Sequence, residues 1–413
     1  MVMATGAVSA RETIPLPTTQ LEQYAVQPFQ QSPATSFSYI PKYQKAMILH
    51  GIRQPYELTD EHPVPVPSQP DELVVKLYAL GLNPIDWKSV DYGYGIPNLP
   101  YVAGRDFAGV VVKAPQAAGD LREGDIVLCA STDYRDVRKA AYQEYALALR
   151  HTVCKLAHHT TPEQGACLGV AYVAATLALG SCLGVKLAAP KLSQSVDLFG
   201  LVRSIPASQV PEDIRAECLD STLPEERPRP GDWIVIWGGS STSALFLSQI
   251  AGWAGLKVIL VVDAAKHGAK LAETGSTLVD CQDAERAVEV IRGITGGNLL
   301  YGIDTVGKDT AARLAECMGP NSERRGHLVA LAAPPKQRLE GVVYHSVPIK
   351  LFHEVPVVGQ SLMSWLEMAL ESRLLALPSV SLVPGGLQGI NTGLDQMRQG
   401  KVSGRRLVVP LKA

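Results

Sequence analysis

Residues 232–262 constrain the fold more than any other part of the chain. They contain a continuously apolar run, a turn rich in glycine and serine, an apolar segment of helical length and a second continuously apolar run. Strands that are apolar at every position are typical of parallel strands covered by helices on both faces. This order predicts a βαβ unit. Strand-like runs that continue to residue 333 extend the prediction to an α/β fold with a doubly wound parallel sheet.

The turn of this unit is the first candidate binding site. The first turn of a helix offers unpaired N–H groups and the positive end of the helix dipole, which together favour a pyrophosphate. The turn is not a complete G-x-G-x-x-G motif, so a tight βα turn with a serine cap is the alternative interpretation. The predicted pyrophosphate-binding residues are Gly238, Gly239, Ser240, Ser241, Thr242 and Ser243.

The end of the second strand of the unit bears on the choice of nucleotide. An acid at this place usually bonds the ribose of NAD, whereas a nearby cation favours the 2′-phosphate of NADP. The chain has both, since Asp263 is followed by Lys266, His267 and Lys270. These residues alone therefore leave NAD and NADP open, and a solvent-exposed helix start explains the cations equally well.

The length of 413 residues predicts two domains. Residues 1–44 are rich in Pro, Gln, Ser and Thr, which predicts a flexible leader. Short alternating strands up to about residue 150 predict a mostly β domain, and Thr161-Pro162 predicts a helix start. Residues 186–230 are charged and rich in proline, which indicates an insert.

Charge and cysteine usage exclude several classes of protein. A net charge of −2 gives no electrostatic signal for nucleic acid or an anionic membrane. The cysteines are scattered, and none forms a C-x-x-C pair, which argues against a disulfide framework or a structural zinc knot. The N-terminus lacks a continuous apolar segment, and the longest apolar runs are interrupted, so we predict neither a signal peptide nor a membrane span. A cytoplasmic location is the prediction.

Several segments resemble successive landmarks of the medium-chain dehydrogenases/reductases. They are residues 45–58, 75–93, 101–114, 123–130, 142–148 and 400–411. The resemblance implies a GroES-like β-rich catalytic domain, interrupted by a Rossmann domain, with the active site between the two. The domains implied are a leader at 1–44, a catalytic domain at 45–185 and 346–413, an insert at 186–230 and an NADP-binding domain at 231–345.

Two substitutions indicate a zinc-free member of this group. The zinc alcohol dehydrogenases carry a cysteine ligand where this chain has residues 83–88, and Gly-His-Glu where it has Gly104-Arg105-Asp106. The four-cysteine lobe of those enzymes is also missing from the sequence. Because catalytic zinc requires Cys or His ligands, we predict no metal.

A narrower resemblance is to the trans-acting enoyl reductases of fungal polyketide pathways. It rests on residues 83–88, 238–244 and 382–409. It implies an NADPH-dependent reductase that acts on the α,β-unsaturated thioester of a carrier-bound polyketide beside a polyketide synthase. A monomer is implied rather than a dimer.

This resemblance also assigns residues to the site. Lys88 lies at the cleft and is the predicted catalytic residue, as electrostatic stabiliser or proton donor; without the motif it would be taken for a surface lysine. The further cofactor contacts implied are Asn83, Pro84, Ile85, Asp86, Ala264, Ala265, Lys266, His267, Cys281, Leu331, Ala332, Gly404 and Arg405. The substrate contacts predicted are Tyr172, Ala174, Ile349 and Phe352.

Alternatives remain open for some residues and for the function. Tyr172 lies in an apolar helix and could be a core residue, and His345 and His353 could be pocket walls or structural histidines. Ala174 stands where relatives often have a threonine. A stand-alone quinone or enone reductase, or a tailoring dehydrogenase, is the second hypothesis for function. A non-catalytic protein that kept the fold is the third, and Ala174 and Asp263 favour it.

Overall fold

The computed structural model describes residues 39–117, 119–318 and 324–411, so most of the predicted leader lies outside the described residues. The first part of the chain is built mainly from short strands. They are β1 (Tyr43–Leu49), β2 (Glu57–Pro63), β3 (Glu72–Gly81), β4 (Tyr101–Val102), β5 (Asp106–Lys113), β6 (Ile126–Ala130), β7 (Tyr145–Leu149) and β8 (Val153–Lys155). β1 lies between β2 and β4 in one sheet, and β3 pairs with β5 and β7 in another. The predicted β-rich domain is confirmed.

A short helix, α1 (Pro84–Tyr92), follows β3 and carries Lys88. Pro84 suits the first helical position because the N–H group it lacks has no partner inside the helix. The carboxylate of Asp86 accepts a 2.8 Å bond from the backbone N–H of Asn83 and so closes the first turn. The helix ends at Gly93, whose φ of 73° is left-handed. These caps fix the position of Lys88 at the edge of the domain.

The helical run predicted after Thr161 connects the two domains. It consists of α2 (Pro162–Gly165) and α3 (Gly169–Leu177), followed by a π-helical turn over residues 178–182. The Thr161 side chain accepts the N–H of Gln164, which confirms the predicted start. By length and composition alone the run Pro162–Cys182 could cross a membrane, but 89% of its most apolar window is buried within the protein. It is therefore a core helix of this fold.

The region predicted as an insert contains α4 (Leu198–Ser204) and α5 (Glu212–Leu219). Asp197 caps α4 and pairs with Arg227 at 3.1 Å, so the two ends of the segment are held together. Leu198 and Val202 are fully buried in the main hydrophobic core. The insert therefore packs onto the rest of the protein and has no separate core.

The second domain is a six-stranded parallel sheet in which a helix follows each of the first four strands. Its elements are β9 (Trp233–Trp237), α6 (Thr242–Trp253), β10 (Lys257–Val262), α7 (Ala264–Ala272), β11 (Thr277–Asp280), α8 (Ala284–Thr295), β12 (Tyr301–Asp304), α9 (Lys308–Glu316), β13 (Gly326–Ala330) and β14 (Val342–Ser346). The strand order is β11-β10-β9-β12-β13-β14, which confirms the predicted doubly wound sheet. The order reverses between β9 and β12, and a crevice at the carboxyl ends of such strands is the usual ligand site.

The chain then returns to the first domain. The elements are α10 (Lys350–Glu354), α11 (Pro356–Glu371), β15 (Val380–Leu382), α12 (Gly389–Arg398) and β16 (Arg406–Pro410). β16 pairs with β3 antiparallel and with β15 parallel. This pairing brings the start of β16 beside the end of β3, so Arg406 lies next to Asn83 although the two are far apart in the sequence.

Candidate active site

A cavity of about 480 Å³ lies between the β-rich domain and the carboxyl edge of the parallel sheet. One wall, here called the catalytic wall, comes from α1 and the strands of the first domain. The other, called the cofactor wall, comes from the first turn of α6 and the residues that follow β12 and β13. The predicted site residues that line the cavity are Asn83, Pro84, Ile85, Lys88, Ala174, Ser241, Thr242, Ser243, Leu331, Ala332 and Ile349.

The turn between β9 and α6 shapes the cofactor wall. Gly238 has a φ of 88°, and a Cβ atom there would lie 2.2 Å from Thr305 Oγ1. Ser241 caps α6 by accepting the N–H of Ala244, and its hydroxyl donates to Thr305 at 3.1 Å. The first N–H groups of α6 that remain face the cleft and have no partner inside the helix. Such a turn can hold a pyrophosphate. Gly238, Gly239 and Ser240 belong to the turn but do not line the cavity.

The other predicted nucleotide contacts lie at the ends of β10 and β11. Asp263 caps α7 by accepting the N–H of Lys266, and the Lys266 ammonium lies 2.7 Å from its carboxylate. The hydrogen bond to Lys266 and its charge hold the pKa of Asp263 below its ordinary value. The ring of His267 lies 2.7 Å from Ser403 Oγ and beside Gly404. The acid expected to repel a 2′-phosphate is therefore neutralised by a neighbouring lysine.

The remaining predicted contacts of this end surround the same edge. The N–H of Ala264 donates to Asp280 at 2.9 Å, and the N–H of Cys281 donates to Val262 O at 3.0 Å. Arg405 is exposed next to Gly404, while Ala265 occupies the first turn of α7. None of these residues lines the cavity. They lie near the carboxyl ends of β10 and β11, or in the segment before β16 that contacts α7.

Two buried arginines dominate the catalytic wall. Arg105 is 3% exposed, and its guanidinium carbon lies 3.6 Å from the centre of the Tyr134 ring. Arg406 is 6% exposed and donates to Asn83 Oδ1 at 2.9 Å and to Asp106 Oδ2 at 3.1 Å. The Nε atoms of both arginines lack a hydrogen-bond partner among the described residues. Buried donors are rarely left unpaired, and both arginines line the cavity.

Asp106 is the acidic member of this network. Its carboxylate accepts from Asn83 Nδ2 at 3.0 Å, from the N–H of Val170 at 2.7 Å and from Arg406. Burial raises its pKa to about 6 against the opposing charge of Arg406. Within the described ranges, no group of three His, Cys, Asp or Glu side chains with metal-ligand spacing lines the cavity. The polar groups of this wall are therefore held by hydrogen bonds among arginine, asparagine and aspartate side chains.

Lys88 lines the cavity beside these groups. Its side chain is half-buried, and Nζ lies 5.8 Å from the centre of the Trp87 ring. No hydrogen bond or ion pair joins the ammonium to another residue of the described part of the chain. The group is therefore free to contact a ligand.

Comparison with known proteins agrees with this geometry. Residues 69–158 match the alcohol dehydrogenase GroES-like domain. A trans-enoyl reductase of Fusarium mangiferae is 28% identical over 86% of this chain and 96% of its own length. A trans-enoyl reductase of Trichoderma harzianum is 24% identical over 91% and 99%, respectively.

Solved structures show the same fold at low identity. A quinone oxidoreductase of Pseudomonas syringae has a TM-score of 0.64 at 19% identity, covering 89% of this chain and 99% of its own. The CurK enoyl reductase has a TM-score of 0.66 at 13% identity, covering 90% and 99%. A mycobacterial protein complexed with NADPH has a TM-score of 0.63 at 21% identity, covering 89% and 99%. The chain has the medium-chain dehydrogenase/reductase fold and resembles the fungal trans-enoyl reductases. Its relatives are oxidoreductases.

Three further predicted contacts do not line the cavity. Asp86 is 3% exposed and faces away from the cavity because its carboxylate closes the first turn of α1. Tyr172 is fully buried, donates its hydroxyl to Leu362 O at 2.9 Å and stacks on Trp365. Phe352 is also fully buried in the core. Tyr172 and Phe352 both lie on apolar faces that pack against α11 or the core, and such a face has the same sequence pattern as a pocket wall.

The sequence analysis did not assign several residues that line this cavity. They are Tyr94, Arg105, Thr132, Tyr134, Thr305 and Arg406. Arg105 could have been predicted as a site residue, because it stands where the zinc alcohol dehydrogenases have the histidine of their Gly-His-Glu motif. His353 lies behind the wall, where its Nδ1 is 2.7 Å from Thr132 Oγ1, and His345 lies in a different cluster.

Proposed function

We propose that the chain is an NADPH-dependent, trans-acting enoyl reductase that reduces the α,β-unsaturated thioester of a carrier-bound polyketide. The observation that carries this proposal is the pairing of the two walls. An anion-holding helix start faces two buried arginines and a lysine across one cavity. The names of the relatives in Fusarium mangiferae and Trichoderma harzianum support the same reaction.

A nicotinamide nucleotide supplies the hydride in such a reaction. Ser241, Thr242 and Ser243 would hold its pyrophosphate, and residues 83–85 with Leu331 and Ala332 would border its nicotinamide. Lys266, His267 and Arg405 would surround a 2′-phosphate. Because NADPH carries this phosphate and NADH does not, we expect NADPH to be preferred. The fold neighbour complexed with NADPH supports this assignment.

The catalytic wall would act on the thioester. When hydride reaches the β-carbon of an enoyl thioester, negative charge grows on the carbonyl oxygen. The guanidinium of Arg105, which lines the cavity and is held over the ring of Tyr134, would donate to that oxygen from a fixed position. Lys88, which has no other partner in the described chain, would deliver a proton to the α-carbon directly or through water. The apolar residues of α3, including Ala174, would exclude bulk water from the reacting atoms.

A carrier-bound substrate requires a partner. We propose that a polyketide synthase presents the acyl chain, because the relatives carry the name trans-enoyl reductase. A cavity of about 480 Å³ accommodates an acyl segment but not a whole carrier domain. The thioester arm would enter from the open end, with the protein acting as a cytoplasmic monomer.

The decisive experiment measures nucleotide binding and turnover on the full chain. NADPH and NADH are titrated first, and an enoyl thioester of N-acetylcysteamine and a simple quinone then serve as acceptors. Lys88→Ala is compared with Lys113→Ala, which removes an exposed lysine at the end of β5. We expect NADPH-dependent thioester reduction that falls at least tenfold only in Lys88→Ala.

The other outcomes divide the hypotheses. Turnover of the quinone without the thioester would replace the proposal with a stand-alone quinone or enone reductase. Equal activity of both lysine variants would remove Lys88 from the mechanism. Failure to bind either nucleotide would contradict an enzymatic role.

A further inference from the structure

A second cluster of reactive side chains lies outside the cavity, where the insert meets the parallel sheet. Cys182 ends the π-helical turn after α3, Glu217 lies in α5, and His345 lies in β14. The potential ligand atoms of these side chains all lie within 4.8 Å of one another. They come from three separate segments of the chain, so no local sequence motif predicts the cluster.

The cluster is closed from most sides. The side chains of Cys182 and His345 are fully buried, and that of Glu217 is 18% exposed. His345 Nδ1 lies 2.7 Å from Glu217 Oε1. A carboxylate, an imidazole and a thiol are thus held together, and of the three only the Glu217 side chain reaches the surface of the described protein. Buried charged groups are paired with other groups or coordinate a metal.

His327 continues the cluster on the far side of His345. Its Nδ1 lies 3.0 Å from His345 Nε2, and its Nε2 lies 3.6 Å from the carboxylate of Glu226. If His345 gives its single proton to Glu217, then His327 must donate from Nδ1, which leaves a lone pair of Nε2 facing Glu226. That Nε2 atom has no hydrogen-bond partner among the described residues.

A metal bound to His345 Nδ1 would place the ring protons of His345 and His327 on the opposite nitrogen of each ring. His345 then donates from Nε2 to His327, and His327 Nε2–H points to the Glu226 carboxylate. Metal-bound histidines usually have their second nitrogen held by such a chain that ends on a carboxylate. The arrangement around His327 is therefore better matched to a ligated His345 than to a free one.

We propose that Cys182, Glu217 and His345 bind one Zn²⁺ ion, which fastens the insert to the parallel sheet. Binding forms the sulfur–zinc bond and releases the thiol proton to water, so that one thiolate, one carboxylate and one neutral imidazole balance the charge of the ion. Sulfur, nitrogen and oxygen donors together favour Zn²⁺ over Mg²⁺ or Ca²⁺. The fourth position is taken by a water that enters beside Glu217. This site is structural and independent of the proposed reductase reaction.

Cobalt binding tests the site directly. The full chain is purified, its zinc content is measured by mass spectrometry, and the apo form is titrated with Co²⁺. We expect one ion per chain, with a thiolate-to-cobalt charge-transfer band in the near ultraviolet that Zn²⁺ abolishes. Wild-type protein that is folded by circular dichroism but gives no such band would overturn the proposal.

Variants locate the ion. Cys182→Ser should lose the charge-transfer band, and His327→Gln should weaken cobalt binding about 10- to 100-fold while keeping the band. Cys218→Ser, which changes a buried cysteine next to Glu217, and Cys281→Ser, which changes a half-buried one, are the controls and should keep it. A band that persists in Cys182→Ser, or disappears in Cys281→Ser, would overturn the assignment. If Cys182→Ser does not fold, Glu217→Gln replaces it, and its expected result is at least a tenfold loss of affinity.

Discussion

The two walls of the active-site cavity are built on different physical principles. On the catalytic wall, Arg105, Arg406 and Asp106 are almost completely buried. On the cofactor wall, Gly238, Ser241 and Thr305 are joined by hydroxyl and main-chain contacts. One wall therefore works by fixed charge and the other by the shape of the backbone.

This difference indicates what each wall can tolerate. Burying an arginine is costly unless the charge is hydrogen-bonded or required for function. Arg406 bonds a buried carboxylate, whereas Arg105 lies over an aromatic face and interacts with buried Asp86 through charge alone. A change of charge should therefore damage the catalytic wall, while a change of volume should damage the cofactor wall.

The largest effect is expected from Arg105→Leu. Loss of a single donor to a developing oxyanion typically lowers turnover about 10²- to 10³-fold, and we expect this loss in kcat/KM for an enoyl thioester. Affinity for NADPH should change less than threefold, because Arg105 lies on the other wall. Steady-state kinetics and nucleotide titration measure the two quantities. Arg105→Lys serves as the control that keeps the charge, and wild-type turnover in Arg105→Leu would exclude the proposed role.

The matching test on the cofactor wall is Gly238→Ala. Its added Cβ would lie 2.2 Å from Thr305 Oγ1 in a backbone of φ 88°, so the turn must move. We expect nucleotide affinity to fall about 10- to 100-fold, and the strain to cost about 1–3 kcal/mol of stability. Calorimetric titration and thermal unfolding check these values.

Gly231→Ala is the matched control for this prediction. Gly231 has a similar φ of 91°, but an added Cβ there meets no atom within 4 Å. It should share the cost of backbone strain and keep nucleotide affinity. Equal affinities in the two variants would mean that the turn after β9 does not hold the nucleotide.

The sequence predicted the cofactor wall far better than the catalytic wall. A βαβ unit is local, so its apolar strands and its Gly-Ser turn lie within 31 consecutive residues, 232–262. The catalytic wall depends on contacts such as Arg406 with Asp106, which are 300 residues apart in the chain. Tyr172 was misplaced for a related reason: periodicity gives an apolar face without saying whether a core or a pocket covers it. Only the resemblance to a known family pointed to Lys88.

A third prediction concerns the support behind the catalytic wall. His353 is 7% exposed and bonds Thr132, which lines the cavity, and burial lowers its pKa to about 4. Between pH 6.5 and 4 the unfolded histidine is protonated while the native one is not, so stability falls as the pH is lowered through this window. The contribution between pH 7 and pH 5 is on the order of 2 kcal/mol.

His353→Asn should remove that part of the pH dependence. Denaturant unfolding at pH 7 and pH 5 gives the slope, which is unaffected by any constant cost of the substitution. His50→Asn replaces a histidine whose side chain is 52% exposed and should leave the wild-type slope. An unchanged slope in His353→Asn would show that the native histidine takes up its proton at the same pH as the unfolded one.

The smallest effect is expected at the start of α7, outside the cavity, where a helix cap and an ion pair involve the same side chain. Asp263 caps α7 through its side chain and pairs with the Lys266 ammonium at 2.7 Å. Asp263→Asn keeps a good capping residue but releases Lys266 to a 2′-phosphate and removes a repelling charge. Because exposed ion pairs contribute little, we expect the preference for NADPH over NADH to rise only about 2- to 5-fold, and less at high salt. The affinities for both nucleotides are measured by fluorescence titration. Wild type, Asp263→Asn, Lys266→Ala and the double variant together form a double-mutant cycle. An unchanged ratio in Asp263→Asn would mean that Lys266 does not meet the 2′-phosphate, and nucleotide choice would then depend on His267 and Arg405.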